Sequence, residues 1–368
     1  MGRAVRAAGA RDPGTVIRVY RNEHRRGYAA GLGAAVLFGA SAPFAKRLAG
    51  DADPQLLAGL LYGGAFLALA AGIGRRDRTR ESPISRIDLP LLVGVIISGG
   101  VIAPVMLMLG LRRLDAVPAS LLLNLEGPFT LVIGLTIFRE HLGRRAIVGA
   151  GLVFVGAAAL TAAPGAVGRI DVAGAFLVVG ACAAWGVDNN LTQRLTLRDP
   201  FAIVLVKTSS AAFINVPIAI IRGSSMPQAS VIGAALLIGA VSYGLSILLD
   251  AYALRHLGAA REAVIFATAP LAGVAIAVLA FGDQLRSRDM ISAAVMAVGT
   301  GALLRSVHAH EHTHEHVVHE HRHVHDDHHR HDHGPGVDAV EPHSHRHEHE
   351  PLVHDHSHVS DAHHRHGH

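Results

Sequence analysis

Up to Arg305 the chain alternates long apolar stretches with short polar connections that carry arginine, and then it changes character. A membrane-spanning helix needs about 20 mostly apolar residues. On that measure the pattern predicts ten spans, at 28–48, 54–74, 88–110, 116–138, 145–163, 171–191, 200–221, 229–254, 260–281 and 289–305. Pro104 interrupts the third and Pro217 the seventh. Such breaks are tolerated where neighbouring helices satisfy the freed backbone groups. The predicted fold is an all-α membrane protein with the lipid bilayer as its surroundings, followed by a different kind of tail.

Charge placement orients the spans. With the N-terminus in the cytoplasm, the segments on that side hold 19 Lys and Arg residues, running from Arg3 through Arg86 to Arg261. The other side holds 8: Lys46, Arg47, Arg112, Arg113, Arg169, Arg222, Arg286 and Arg288. Cationic residues concentrate on the cytoplasmic side of membrane proteins. The count therefore predicts an inner (plasma) membrane protein with both termini cytoplasmic and residues 1–27 as a basic N-terminal segment. No cleavable signal peptide is expected.

Composition agrees with this layout. The chain is 50% hydrophobic and 17% charged, against about 25% charged in soluble domains. Its formal net charge of +4 comes from arginines between apolar stretches, which speaks for topology and against nucleic acid. The single cysteine, Cys182, excludes an internal disulfide. No phosphate loop, nucleophile elbow or HExxH pattern is present, so an enzyme is not expected. Small residues four apart (Ala35/Gly39, Gly59/Gly63, Ala240/Gly244 and Ala269/Gly273) predict close helix packing.

The apolar body reads as a duplication. Leu111-Arg112-Arg113-Leu114 aligns with Leu254-Arg255-His256-Leu257. With one gap, Pro128 then meets Pro270, Phe138 meets Phe281, Glu140 meets Asp283, Leu142 meets Leu285 and Gly156 meets Gly299. Earlier in each half, Phe38-Gly39 meets Trp185-Gly186 and Arg47-Leu48 meets Arg194-Leu195. Residues 28–163 and 171–305 are thus expected to be two five-span repeats. Five is odd, so the second enters the membrane from the opposite side. Inverted repeats of this kind build secondary transporters, with the substrate site near the midplane at the repeat interface.

On these residues the chain resembles the EamA-type families of the drug/metabolite transporter superfamily. The resemblance rests on Phe38-Gly39 and Trp185-Gly186 in the first helix of each half. It rests also on Pro128, Glu140-His141-Leu142-Gly143-Arg144-Arg145 and the glycine-rich run Gly149, Gly151 and Gly156. It covers about residues 28–305 and implies ten helices, a central cavity and alternating access. The second half carries Asp283 in place of the glutamate, and the arginine often found near the start of the second helix is missing around Leu60-Leu61-Tyr62. The resemblance names no substrate.

An ionisable side chain at mid-bilayer costs at least about 2.5–3.5 kcal/mol and marks a functional site by default. Glu126 lies in the middle of the fourth span beside Asn124 and Pro128, and Lys207 lies about eight residues into the seventh. The two are expected to face the cavity and to pair with each other. Glu126 is then the proton-coupling or substrate-cation site, and Lys207 neutralises it or an anionic substrate group. Asp188 and Asp250 fall nearer the cytoplasmic ends of their spans and read as solvated at the interface. Asp188 with Asn189 and Asn190 is a polar cluster that would gate the inner mouth. Glu126, Lys207, Asn124 and Asp188 form the candidate substrate and coupling set.

Residues 306–368 hold 24 of the 27 histidines. Many charges, few large apolar residues, Gly334-Pro335-Gly336 and Glu341-Pro342 predict a disordered segment. Neutral imidazole binds borderline divalent metals. The candidate ligands are His308, His310, His312, His314, His316, His319, His321, His323, His325, His328, His329, His331, His333, His343, His345, His347 and His349. Several exchangeable Ni²⁺, Co²⁺ or Zn²⁺ ions are expected there, without a fixed four-ligand geometry; no cofactor is required. The tail would load a metal exporter, buffer or sense metal for an exporter of something else, sense pH, or do none of these. The leading expectation is a permease exporting divalent transition metal, with coupling to a proton gradient. The rivals are a metabolite or amino-acid exporter with a metal-responsive tail, and a membrane-anchored metal store or sensor. The partners expected are lipid, a small-molecule or metal-ion substrate and, for a homodimer, a second copy of the chain.

Overall fold

The computed structural model describes residues 13–72, 82–137, 144–162, 171–195, 198–257 and 265–304, and four short segments of the tail. The body is built of helices among the described residues. They are α1 (Pro13–Leu48), α2 (Pro54–Gly72), α3 (Arg86–Arg113), α4 (Ala116–Thr136), α5 (Arg144–Ala162), α6 (Val172–Gln193) and α7 (Pro200–Ile221). α8 runs through Ala229–Ile238, Gly239–Leu245 and Ser246–Leu257. α9 is Ala269–Phe281 and α10 is Ser287–Leu304.

Among the described residues, eight helices are long and apolar enough to cross a membrane, where ten spans were expected. The two that fall short have local reasons. The described part of α9 has 13 residues, or about 20 Å of helix against about 30 Å of hydrocarbon. Residues 258–264, which the expected span includes in part, lie outside the description. α10 begins with Arg288 and Asp289, which lower its mean apolarity. At the other end, α1 runs back through the basic segment, and its apolar part is Arg26–Leu48.

Packing follows residue size. Ala34, Ala35, Ala42 and Ala45 of α1 are buried, while Leu32 and Val36 are exposed. Phe176, Phe213, Leu279 and Val298 likewise point outward. Small residues inside and large apolar residues outside are the distribution expected where lipid, not water, surrounds the bundle. The predicted small-residue pairs of α1 and α9 meet each other. A Cβ on Gly39 would overlap the carbonyl oxygen of Ala269, and one on Gly273 would lie 2.8 Å from the carbonyl oxygen of Gly39. Gly63 makes no comparably close approach.

The helix contacts come in matched sets. α1 packs on α8 and α9, as α6 packs on α3 and α4. α2 packs on α7 and α8, and α7 on α2 and α3, while α5 packs on α10. Local geometry repeats as well. α2 and α7 both begin with Asp-Pro. The carboxylate of Asp53 accepts from the backbone N–H of Gln55 and Leu56, at 2.9 and 3.2 Å. That of Asp199 accepts from Phe201 and Ala202, at 3.0 and 3.3 Å. Most tellingly, α3 and α8 each widen into a π-helical turn, at Ile96–Ile102 and Gly239–Leu245. These turns coincide when Leu111 is aligned with Leu254.

Four short segments of the tail are described. Residues His308–His314 (β1), Val317–His323 (β2), His343–His349 (β3) and Leu352–His358 (β4) are extended. They form two antiparallel ribbons, β1 with β4 and β2 with β3. The physical reason is a period of two: histidine alternates with another residue, which matches the repeat of a strand. His316, His325, His328, His329, His331 and His333 lie outside the described residues.

Candidate functional site

The π-helical turn of α3 builds the centre of the site. Such a turn shifts backbone hydrogen bonds out of the ordinary helical ladder, a feature common at functional positions. Here the carbonyl oxygen of Gly99 accepts from the Tyr62 hydroxyl at 2.7 Å and from the Trp185 indole N–H at 3.3 Å. The next carbonyl, of Gly100, accepts from the Asn215 amide at 3.0 Å. Gly99 must be glycine, because a Cβ there would overlap the carboxylate of Asp188.

Asp188 is buried and forms an ion pair with Lys207 of α7. Thr192, one turn along α6, donates its hydroxyl to the other carboxylate oxygen at 3.4 Å. This corrects two sequence expectations. Lys207 pairs with Asp188, not with Glu126, and Asp188 is not a solvated interfacial group. The hairpin explains both. Asp188 is five residues before the end of α6 and Lys207 seven after the start of α7. Both therefore lie about 8–10 Å from the same end of the bundle.

Glu126 opens the second part of α4, directly after a tight turn at Leu123–Leu125. Its side chain accepts from the Asn189 amide at 2.9 Å, and that amide also donates to the Thr130 hydroxyl at 3.2 Å. Asn190 donates to the carbonyl oxygens of Thr130, at 2.9 Å, and Gly186, at 2.8 Å. Asn189 and Asn190 thus tie α6 to α4, and Glu126 is one residue removed from the Asp188–Lys207 pair. The charges of Asp188, Lys207 and Asp250 all act on Glu126. Asn124 engages a different neighbour, donating to the Thr300 hydroxyl of α10 at 3.4 Å.

Aromatic rings pack beside these groups. Phe38 meets Trp185 edge-on with centroids 6.5 Å apart, Tyr243 at 6.0 Å and Phe266 at 5.2 Å. Tyr62 meets Tyr243 at 5.6 Å. The two aromatic residues aligned between the halves therefore touch in space.

A second polar line leads away from Gly100. Asn215 accepts from the Gln55 amide at 3.0 Å, and Gln55 accepts from Arg222 at the end of α7 at 3.5 Å. Sequence reading missed Gln55, Tyr62, Trp185 and Asn215 as site residues. The uncharged Asn215 inside an apolar span was the available signal, since polar side chains between membrane helices need partners. Among the described residues, no three or more His, Cys, Asp or Glu residues are grouped so as to hold a metal ion.

Large apolar side chains outside and hydrogen-bonded polar groups between the helices fit a multi-pass membrane protein. Its sequence matches the model of the EamA-like transporter family twice, over residues 25–162 and 172–305, and the chain belongs to that family. An uncharacterized transporter of Methanothermobacter thermautotrophicus is 29% identical over 290 residues, covering 74% of this chain and 84% of that protein. A solved crystal structure with 19% identity shares the fold, with a TM-score of 0.56 over 75% of this chain and 95% of the other.

Proposed function

We propose that this protein is a secondary transporter of ten passes, built from two inverted repeats in the inner membrane, that exports a small solute against a proton gradient. One observation carries the reading. Polar groups gather at the α3 turn: Arg222, Gln55 and Asn215 reach the Gly100 carbonyl, Tyr62 and Trp185 bond the Gly99 carbonyl, and the Asp188–Lys207 pair packs against Gly99. Polar groups inside membrane helices are costly and mark transport pathways. The matched helix contacts, the two Asp-Pro caps and the two coincident π-helical turns support the repeat, and the Lys and Arg count supports cytoplasmic termini.

In this reading Glu126 is the coupling group. It is held by an amide and not by a cation, so it can exchange a proton or a substrate charge while Asp188 and Lys207 neutralise each other. Counting Glu126, Asp188 and Asp250 against Lys207 leaves an acidic centre, which favours a solute bearing positive charge. A divalent metal ion is the second reading of the substrate, favoured by the histidine tail. A growth screen of a deletion strain against metals and amino-acid analogues would choose between them. The coupling is tested by Glu126→Gln in proteoliposomes under an imposed pH gradient, with the solute the screen selects. Transport should collapse at unchanged protein level; full activity removes the coupling role.

A further inference from the structure

The aromatic rings beside the polar centre have their polar ends occupied. Tyr62 and Trp185 donate to the same carbonyl oxygen, that of Gly99, and Tyr243 is hydrogen-bonded to Ser41. What these rings have left to offer a ligand is their π faces, whose negative quadrupole attracts cations. Phe38 is the ring best placed to use that property. It meets Trp185 of α6, Tyr243 of α8 and Phe266 just ahead of α9, so it lies inside the bundle. Phe38 and Phe266 are nevertheless only half-buried, whereas Trp185 and Tyr243 are buried. Open space between the helices therefore borders the Phe38 ring.

An acidic group stands near the same rings. The charge of Glu126 acts on Tyr62 and on Tyr243, and Glu126 is itself half-buried. Its side chain is held by the neutral Asn189 amide at 2.9 Å, while Lys207 is paired with Asp188. The charge of Asp250 adds to the negative field at Glu126. A carboxylate beside aromatic faces suits an ammonium ion that carries carbon substituents, with its charge on the carboxylate and its alkyl groups on the rings. A first-row metal ion asks for something else, a set of three or more nitrogen, oxygen or sulfur ligands. Among the described residues no three His, Cys, Asp or Glu are grouped in that way. Resting on the reading of Glu126 as the group that meets the solute, we propose that the solute is an organic ammonium ion, and that Phe38 is the residue that selects it over a metal ion.

The test titrates benzyltrimethylammonium into the full chain in detergent, with no gradient present. Binding should change the emission of Trp185, the single tryptophan, whose ring centroid is 6.5 Å from that of Phe38. Phe38→Leu keeps an apolar side chain but removes the π face. It should weaken binding about 3- to 30-fold, the range of a cation–π contact from exposed to desolvated. Phe266→Leu should weaken it in the same direction, and stands in for Phe38→Leu if that variant does not fold. Glu126→Gln should weaken it by at least as much, and Zn²⁺ should not displace the probe. No binding, an affinity unchanged in the ring variants or in Glu126→Gln, or displacement by Zn²⁺ would each overturn the proposal. The coupling role of Glu126 is judged separately, by transport in proteoliposomes. Transport lost in Glu126→Gln, with the ring variants binding as the native chain does, removes only the ammonium class. Ring-dependent binding, with transport intact in Glu126→Gln, removes only the coupling role.

Discussion

Replacing Lys207 with Met should destabilise the bundle by stranding the carboxylate of Asp188. Asp188 has a side chain 4% exposed, and that of Lys207 is 17% exposed, so the pair is largely out of solvent. Removing one member of a buried pair costs about 3–5 kcal/mol, because the other charge is left behind. The Thr192 hydroxyl at 3.4 Å is a weak replacement. The double replacement Asp188→Asn/Lys207→Met removes both charges and should lie within about 1–2 kcal/mol of the native protein, since neutral substitutes for a buried pair are often tolerated. The assay is a four-protein cycle of thermal midpoints in detergent at about pH 7.5. A Lys207→Met protein as stable as the native one would refute the reasoning, as would a double variant no more stable than the Lys207→Met single one.

Three further outcomes can be measured on the same purified protein. Gly39→Val should lower the thermal midpoint by the equivalent of about 1–3 kcal/mol, since its side chain would meet the Ala269 backbone, whereas Gly151→Val, with open space at its Cβ, should leave it nearly unchanged. Asp53→Ala and Asp199→Ala should each cost about 1 kcal/mol, and nearly the same amount, because the two caps have the same geometry. Tyr62→Phe should cost about 0.5–1.5 kcal/mol, as the Gly99 carbonyl keeps its bond from Trp185; the emission of Trp185, the single tryptophan, should shift with it.

The helices were legible because lipid imposes a simple rule on their length and polarity. Gly39 and Gly186, which the sequence alignment of the two halves pairs, stand where helices touch, against Ala269 and Phe129. The partner of Lys207 was not legible from depth alone. Glu126 is also deep, but it is on α4, and only the short connection between α6 and α7 brings Asp188 to the lysine. Tyr62, Gln55 and Asn215 were hidden for another reason. Their roles depend on the carbonyls of Gly99 and Gly100, and no residue pattern in α3 announces a π-helical turn.

Under the repeat reading the frame is symmetric and the chemistry is not. Matching Phe38-Gly39 to Trp185-Gly186 sets Ser41 of α1 against Asp188 of α6. Matching the two Asp-Pro caps sets Leu61 of α2 against Lys207 of α7. Ser41 is buried and hydrogen-bonds Tyr243 of the α8 π-helical turn, just as Asp188 lies against Gly99 of the α3 turn. The same architectural position thus holds a neutral hydroxyl at one end of the bundle and an ion pair at the other. Similar packing at both ends gives an alternating carrier two conformations of comparable energy. A charge pair at one end alone gives protons and charged solutes a way to distinguish them, because a ligand shifts such an equilibrium only through its different affinity for the two states. Under the proposed function, Glu126 lies beside that pair, and a change of its charge would be felt by one conformation more than by the other.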